Sequence, residues 1–464
     1  MRRRILSVTA LAAAATLTLA ACAPGDNTPT TTPTDEPTAG GTTDGEAPAP
    51  EGEVVTDIAS LGDIELTVWD QEVRGSQNDA LVALNEAFED QYPNVTINRV
   101  SQSNDDLQSQ IALALSGNDV PDVAQVNNAR ADMGQYVAAG QLTDLEPYAE
   151  AYGWTDRFGE SVLANSRYSA DGATFGDGNL YGVPQTGEIV GIFYNQTKLD
   201  ELGIELPETW DDYFAALETA READEQPMVL GNIDQWPAFH VFGPLQANYV
   251  PVDEIDDLGR GNDGASWLTD GNREALEQFG TWGTEGYFGS SPNGTDYDLA
   301  SVDFAEGTGV FLPAGNWLGG DLESLMGEDV GFMAPPPGID GTLASTGATG
   351  IPFSIPANAA NVDAAAAYID FVTSDEAMAL IAENGGMPVN DTAELAPESG
   401  VQRDIFEAFD AVSTGGTLLP YLDWATPTFP DTAGQGFQEV LGGQLSVDEV
   451  LQAFEDDYQA FVGE

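Results

Sequence analysis

Few side chains in this chain offer covalent chemistry. His240 is the only histidine and Cys22 the only cysteine among 464 residues. A Ser-His-Asp or Cys-His relay needs an oriented base beside its nucleophile, and a structural zinc site needs four nitrogen or sulfur ligands. One imidazole offers no convincing relay, and with one thiol it falls short of the four zinc ligands. No G-x-x-x-x-G-K-[ST] phosphate loop occurs. The acidic run Asp253-Glu254-Ile255-Asp256-Asp257 lacks the spaced oxygen ligands and glycine of a calcium loop. No catalytic residue, cofactor or metal site is therefore assigned. Carboxylates are abundant, and two of them roughly 5–9.5 Å apart suffice to hydrolyse a glycosidic bond, so glycoside hydrolysis is the enzyme class that composition leaves open. The adjacent pairs Asp105-Asp106, Asp211-Asp212 and Asp456-Asp457 fall in helical patterns, where neighbouring side chains diverge.

Charge narrows the partners. Thirteen Lys+Arg stand against 78 Asp+Glu, a formal charge of −65. Nucleic-acid affinity depends on Lys and Arg displacing counterions, so this balance excludes DNA and RNA. The acidity reads as a solvated surface. With 42% hydrophobic and 9% aromatic residues, the body is expected to be globular, and its length calls for two lobes or domains.

The N-terminus is a separate matter. Arg2, Arg3 and Arg4 precede an apolar run from Ile5 to Ala21, the pattern of a secretory signal, so residues 1–21 are expected to be removed. Leu19-Ala20-Ala21-Cys22 looks like a bacterial lipobox, with Cys22 the lipidated residue and the membrane a partner through that anchor. From Ala23 to Glu53 there is no Leu, Ile, Val, Met or aromatic residue. Such a segment buries no core, and residues 22–60 are expected to form a tether reaching on the order of 30 Å. The body would then hang on the outer face of the bacterial cytoplasmic membrane.

The body opens in βαβ grammar. Ile64, Leu66 and Val68 alternate as in a strand. Ser76 is a candidate cap for a helix with Leu81, Leu84 and Phe88 on one stripe. Val95 and Ile97 mark a second strand, and Leu107, Ile111 and Leu115 a second helix with Gly117 suited to its C-terminal cap. Pro121 to Val126 reads as a third strand. Ligands of open α/β sheets lie at the carboxyl ends of the strands, which directs attention to Trp69-Asp70-Gln71, to Asn127-Asn128 and to Arg130 just beyond.

The segment from Tyr181 to Tyr213, YGVPQTGEIVGIFYNQTKLDELGIELPETWDDY, resembles the hallmark stretch of bacterial extracellular solute-binding proteins of ABC transporters, the maltose-binding-protein-like sugar group. Tyr181, Gly182, Pro184, Tyr194, Asn195, Leu202, Gly203, Pro207, Thr209, Trp210 and Asp211 carry the likeness. Pro121-Asp122-Val123, Gly315-Asn316-Trp317, the stretch from Asp363 to Glu376 and Gly385-Gly386-Met387-Pro388-Val389 match in the same order, so the resemblance spans residues 61–464. One departure is Ala124-Gln125-Val126, where relatives often carry an aromatic residue.

The resemblance implies an α/β fold of two lobes, each an open, mostly parallel sheet flanked by helices, joined by a hinge of crossing segments. Crossings are expected near Thr186–Ile189, near Met333–Pro336 and near Val362. They divide the chain into lobe one (61–186 and 333–362) and lobe two (187–332 and 363–464). The implied ligand is a carbohydrate, held unaltered in the interlobe cleft by hinge closure and delivered to permease subunits in the membrane by a monomeric protein. Sugar rings call for flat aromatic faces and short polar side chains. The implied contacts are Trp69, Trp236, Trp317 and Trp424, with Asp70, Gln71, Asn128, Glu188, Asn316 and Asp423 as polar partners and Gly350 allowing close backbone approach. Trp154, Trp210, Trp267 and Trp282 are assigned to packing, and so is His240. A polyamine, amino-acid or iron-chelate receptor is the alternative. A polyamine would require carboxylates lining the cleft, and an amino acid an arginine for its carboxylate, with Arg130 the candidate.

Overall fold

The structure is a computed structural model that describes residues 54–463 apart from Asn118. The signal segment, Cys22 and nearly all of the expected tether lie outside the described residues. Among the described residues, no helix is long and apolar enough to cross a membrane.

The first sheet grows from the pattern at Ile64. Strand β1 (Ile64–Asp70) buries Leu66 and Val68, and it pairs in parallel with β2 (Val95–Ser101) and with β3 (Val123–Gln125). Helix α1 (Gly75–Gln91) crosses between β1 and β2 and buries Leu81, Leu84 and Phe88. Helix α2 (Asn104–Leu115) crosses between β2 and β3 and buries Leu107, Ile111 and Leu115. Two capping details differ from expectation. Ser76 lies inside α1, and the free amides of Gly75 and Ser76 are instead taken up by the carboxylate of Asp321, at 3.2 and 3.1 Å. An acceptor 245 residues away leaves no local signal. At the other site α2 ends on Ser116 in right-handed geometry, so the left-handed freedom of Gly117 is not used.

A small hairpin of β4 (Arg167–Tyr168) and β5 (Asn179–Leu180) follows. The second sheet is built around β6 (Gly187–Asn195). Strand β7 (Phe311–Gly315) runs antiparallel along one edge, while β8 (Val330–Met333) and β9 (Ala344–Thr349) share the other, also antiparallel. The chain then returns to the first sheet as β10 (Phe353–Ser354), antiparallel to β3, and later adds β11 (Thr417–Leu419) parallel to β9. The first sheet, in the order β10-β3-β1-β2, is mostly parallel, and the second is mixed. Each lobe carries its own core. Leu66, Phe88, Phe353 and Tyr368 belong to the first, and Phe242, Trp267, Phe279 and Phe437 to the second. Trp154, Trp210, Trp267 and Trp282 are buried as packing residues.

The hinge lies partly away from its expected place. Three segments run side by side between the sheets. Gly187 N–H donates to Met387 O (3.0 Å), Val389 N–H to Gln185 O (3.2 Å) and Gly350 N–H to Thr186 O (2.8 Å). The crossing near Thr186 is therefore where the resemblance put it, whereas the other two lie at 350–352 and 387–389. The expected crossing at Met333–Pro336 stays in the second lobe: Met333 is paired in β8, and Ile339 donates to Ala247 O (2.8 Å). The proline run has no N–H to give, so it is unsuited to a crossing held by backbone donors. The helix Val362–Val372 likewise packs in the first core, with Tyr368 O–H donating to Asn85 Oδ1 at 2.7 Å. Residues 333–349 thus side with lobe two and 363–383 with lobe one, the reverse of the expected division, while 353–362 stay with lobe one as expected.

Gly350 belongs to this hinge. A Cβ there would stand 2.1 Å from Thr186 Oγ1, closer than packing tolerates. Gly350→Ala is expected to lower stability by about 1–3 kcal/mol through this overlap, seen as a reduced denaturation midpoint. An unchanged midpoint would show that the hinge yields freely.

Candidate binding site

The loops at the strand ends of both sheets meet at a cavity of about 360 Å³, within the roughly 300–1,000 Å³ range of small-molecule sites. The first lobe supplies a polar wall: Gln71, Arg74 and Gln77 after β1, Asn104, Asp105 and Gln108 from α2, and Asn127, Asn128 and Asp132 after β3. Among the described residues, no aromatic ring from this lobe lines the cavity, in keeping with the Ala124-Gln125-Val126 departure. Gln71 is held by its backbone, whose N–H donates to Gln125 Oε1 at 2.8 Å. Asn128 is fixed by donating from Nδ2 to Asn165 O at 2.8 Å.

The second lobe supplies the rings. Trp236, Phe239, His240, Trp317, Tyr421 and Trp424 all line the cavity. His240 sits in the middle of them, its ring centroid 5.2 Å from those of both Trp236 and Trp317 and 6.2 Å from that of Tyr421. Tyr421 and Trp424 lie 5.2 Å apart. Trp317 folds back across Gly315, where a Cβ would meet indole atoms at 2.1 Å. The glycine before Asn316-Trp317 is what lets the indole lie there. His240 was expected to be a packing residue, and it is 3% exposed, yet its ring also faces the cavity. Burial pushes its pKa down to about 3, so the imidazole is neutral.

Four of the residues implied by the resemblance are not at the cavity. Trp69 packs against the core of the first lobe. Asp70 is fully buried and gripped in a fork by Arg99, with Nε to Oδ2 and Nη2 to Oδ1 both at 2.7 Å. That bond ties β1 to β2 and leaves nothing for a ligand. Asn316 accepts from Ile189 N–H (2.9 Å) and donates to Gly187 O (3.3 Å), fastening β7 to the start of β6. Gly350 is between the lining residues Thr349 and Ile351, and its small size serves Thr186. Arg130 is not a lining residue either. Its guanidinium donates to Ala173 O (3.1 Å) and Arg260 O (2.8 Å), joining the lobes.

Sequence reasoning missed Arg74, Asp105, Asp132 and Asp234, whereas Glu188 and Asp423, which the resemblance named, do line the cavity. Arg74 stands four positions past the end of β1, within reach of the strand-end rule that found Gln71. It pairs across the cleft with Asp298 at 2.8 Å. Glu188, on β6, is pushed up to about 8, chiefly by burial. The Tyr421 hydroxyl, which donates to its Oε2 at 3.0 Å, works in the opposite direction. Asp132 is raised to about 7 by burial and then by Asp423, which belongs to the opposite lobe, while Asp423 itself is raised to about 6 by burial. Asp105, from lobe one, and Asp234, from lobe two, hydrogen-bond carboxyl to carboxyl, an arrangement that needs a shared proton. Burial and the neighbouring charge hold both above the ordinary range. Among the described residues, no three His, Cys, Asp or Glu side chains are grouped to hold a metal ion.

Comparison with known proteins agrees with this architecture. The family profile for "Bacterial extracellular solute-binding protein" matches residues 74–379. The "Multiple sugar-binding protein" of Streptococcus mutans is 24% identical over 290 residues, 59% of this chain and 63% of that protein, just under two thirds of its length. An "Uncharacterized ABC transporter extracellular-binding protein" of Pyrococcus horikoshii is 25% identical over 366 residues, 77% of this chain and 78% of the other. The solved structure of a "Chitin oligosaccharide binding protein" superposes with a TM-score of 0.72 at 21% identity, covering 86% of this chain and 99% of that one.

The raised carboxyls set a pH dependence. Glu188 ordinarily titrates near 4.5 and does so here near 8, so folding favours its protonated form. Its contribution to stability is complete below about pH 4.5 and is lost as pH rises through 8. Asp132 and Asp423 act with the same sign up to about 7 and 6. Glu188→Gln keeps the uncharged shape, so between pH 5 and 9 the melting temperature of the variant is expected to fall less than that of the parent. Parallel slopes in calorimetry would contradict the assignment.

Proposed function

The chain belongs to the family of bacterial extracellular solute-binding proteins, which bind and carry solutes and are not enzymes, and from that premise we propose that its cleft captures a carbohydrate. One observation carries the reading: a wall of Trp236, Trp317, Tyr421 and Trp424 faces a wall of Gln71, Gln77, Asn127 and Asn128 across one cavity. A pyranose has the complementary surfaces, C–H faces that pack on rings and a rim of hydroxyls that both donate and accept. The sugar-binding name of the Streptococcus mutans relative and the oligosaccharide name of the superposed structure support the same choice.

A ligand touching both walls binds the closed form more tightly and draws the population toward it. In our reading the loaded protein then docks on the permease of an ABC importer, in line with the transporter name of the Pyrococcus horikoshii relative. Family membership puts the protein outside the cytoplasm. We further propose that Cys22 carries the lipid that keeps it at the membrane, that the folded body acts as a monomer, and that Gln71, Asn128, Glu188, Trp236, Trp317, Asp423 and Trp424 touch the ligand. An amino acid fits less well, because Arg74, the arginine at the cavity, is already paired with Asp298. A polyamine is the second reading, favoured by the carboxyl groups that do line the cleft.

A thermal-shift panel of mono- and oligosaccharides, amino acids and polyamines tests the choice. Saccharides are expected to raise the melting temperature without being cleaved, and Trp317→Ala is expected to weaken binding about 30-fold or more, as for an aromatic anchor. A response confined to amino acids or polyamines would overturn the proposal.

A further inference from the structure

Carboxyl groups set this cavity apart from one lined by amides alone. Asp105, Asp132, Glu188, Asp234, Asp423 and Asp431 line it, against Arg74 as the lining cation. Arg74 already answers Asp298 on the opposite lobe. Amides satisfy sugar hydroxyls at little desolvation cost, whereas a carboxylate covered by a neutral ligand loses water without gaining a counter-charge. The first wall is rich in amides, so the carboxyls are more than a neutral ring requires.

Their placement points to a particular spot. Asp132 is held in the π-helical turn Arg130–Gly134 of lobe one and Asp423 in the 3-10 turn Leu422–Trp424 of lobe two. The two line the same cavity from opposite lobes, and the charge of Asp423 opposes ionisation of Asp132. Asp423 Oδ1 is shielded from solvent and meets no donor among the described residues. In the same wall His240, 3% exposed, has its Nδ1 without a partner among the described residues. Tyr421 and Trp424 stand on either side of Asp423 in sequence and line the same cavity, their rings 5.2 Å apart, and aromatic rings beside a carboxyl attract an organic cation.

We propose that the saccharide taken by this cleft carries a basic nitrogen, whose ammonium group sits between Asp132 and Asp423, so that the ligand class is amino sugars rather than neutral sugars. This rests on the carbohydrate reading above. An ammonium offers up to three donors, enough to engage both carboxylates at once, and it removes the opposition of charge between them. The remaining hydroxyls keep their partners among the amides, and the ring keeps its aromatic wall, which a bare polyamine would leave unused.

Saccharide pairs that differ only in an amine versus a hydroxyl or acetamide at one carbon test this directly. They are drawn from the gluco, galacto and manno series, from one to four rings, with spermidine alongside, and titrated calorimetrically into the full chain at low salt. In the series that binds, the amine member is expected to be favoured by about 10- to 100-fold, and in Asp423→Asn and in Asp132→Asn that ratio is expected to collapse toward one. Reading the ratio within each variant separates loss of charge from loss of folding, and the second variant stands in if the first fails to fold. A neutral member that binds as well as its amine counterpart overturns the inference and leaves the carbohydrate reading standing. Spermidine binding with no saccharide bound overturns the carbohydrate reading itself, and silence from every amine-bearing sugar overturns the inference.

Discussion

Three backbone hydrogen bonds at the floor of the cleft decide how the two walls face each other. Gly187, Gly350 and Val389 each donate to a neighbouring crossing segment, at 3.0, 2.8 and 3.2 Å. These bonds fix the crossings side by side, and a few crossing segments of this kind are what hinge motion works through. The site depends on this geometry because neither wall is a site alone. The first lobe brings amides and acids without a lining ring, and the second brings the rings.

Above the hinge, contacts of modest strength close the jaw. Arg74 pairs with Asp298, the carboxylate of Asp321 caps the N-terminus of α1, Arg130 reaches Arg260 O, and Phe175 meets Trp424 edge-on at 5.6 Å. Asp298 is half exposed, and an ion pair with an exposed partner contributes on the order of 1 kcal/mol or less. Against these stands the opposition of charge between Asp132 and Asp423. A ligand that neutralises that pair therefore bears on the conformation as well as on the fit.

Much of the first lobe was legible in the sequence because its strands and helices follow apolar periods of two and of three to four, and buried Leu66, Val68, Leu84 and Phe88 obey them. The hinge was only partly legible. Its bonds are made by backbone groups, which any non-proline residue supplies, and the conspicuous Pro335-Pro336-Pro337 run drew attention to a segment that cannot donate. The site divides in the same way. Trp236, Trp317 and Trp424 lie on segments the resemblance covers, and Gly315-Asn316-Trp317 carries its own reason, a glycine beneath an indole. Asp70 and Asn316 were misread as ligand contacts because a strand-end polar residue looks the same whether it faces a cavity or a buried Arg99. Asp132 and Asp234 were missed because what singles them out is the nearness of the other lobe.

The central claim is that a saccharide bridges both walls and holds them together. Fluorophores at the exposed positions Glu86, on the first lobe, and Glu277, on the second, report the distance between lobes by energy transfer. Saturating saccharide is predicted to shorten and narrow the distribution of separations. A distribution unchanged at saturation, with binding verified in the same sample, would contradict the account.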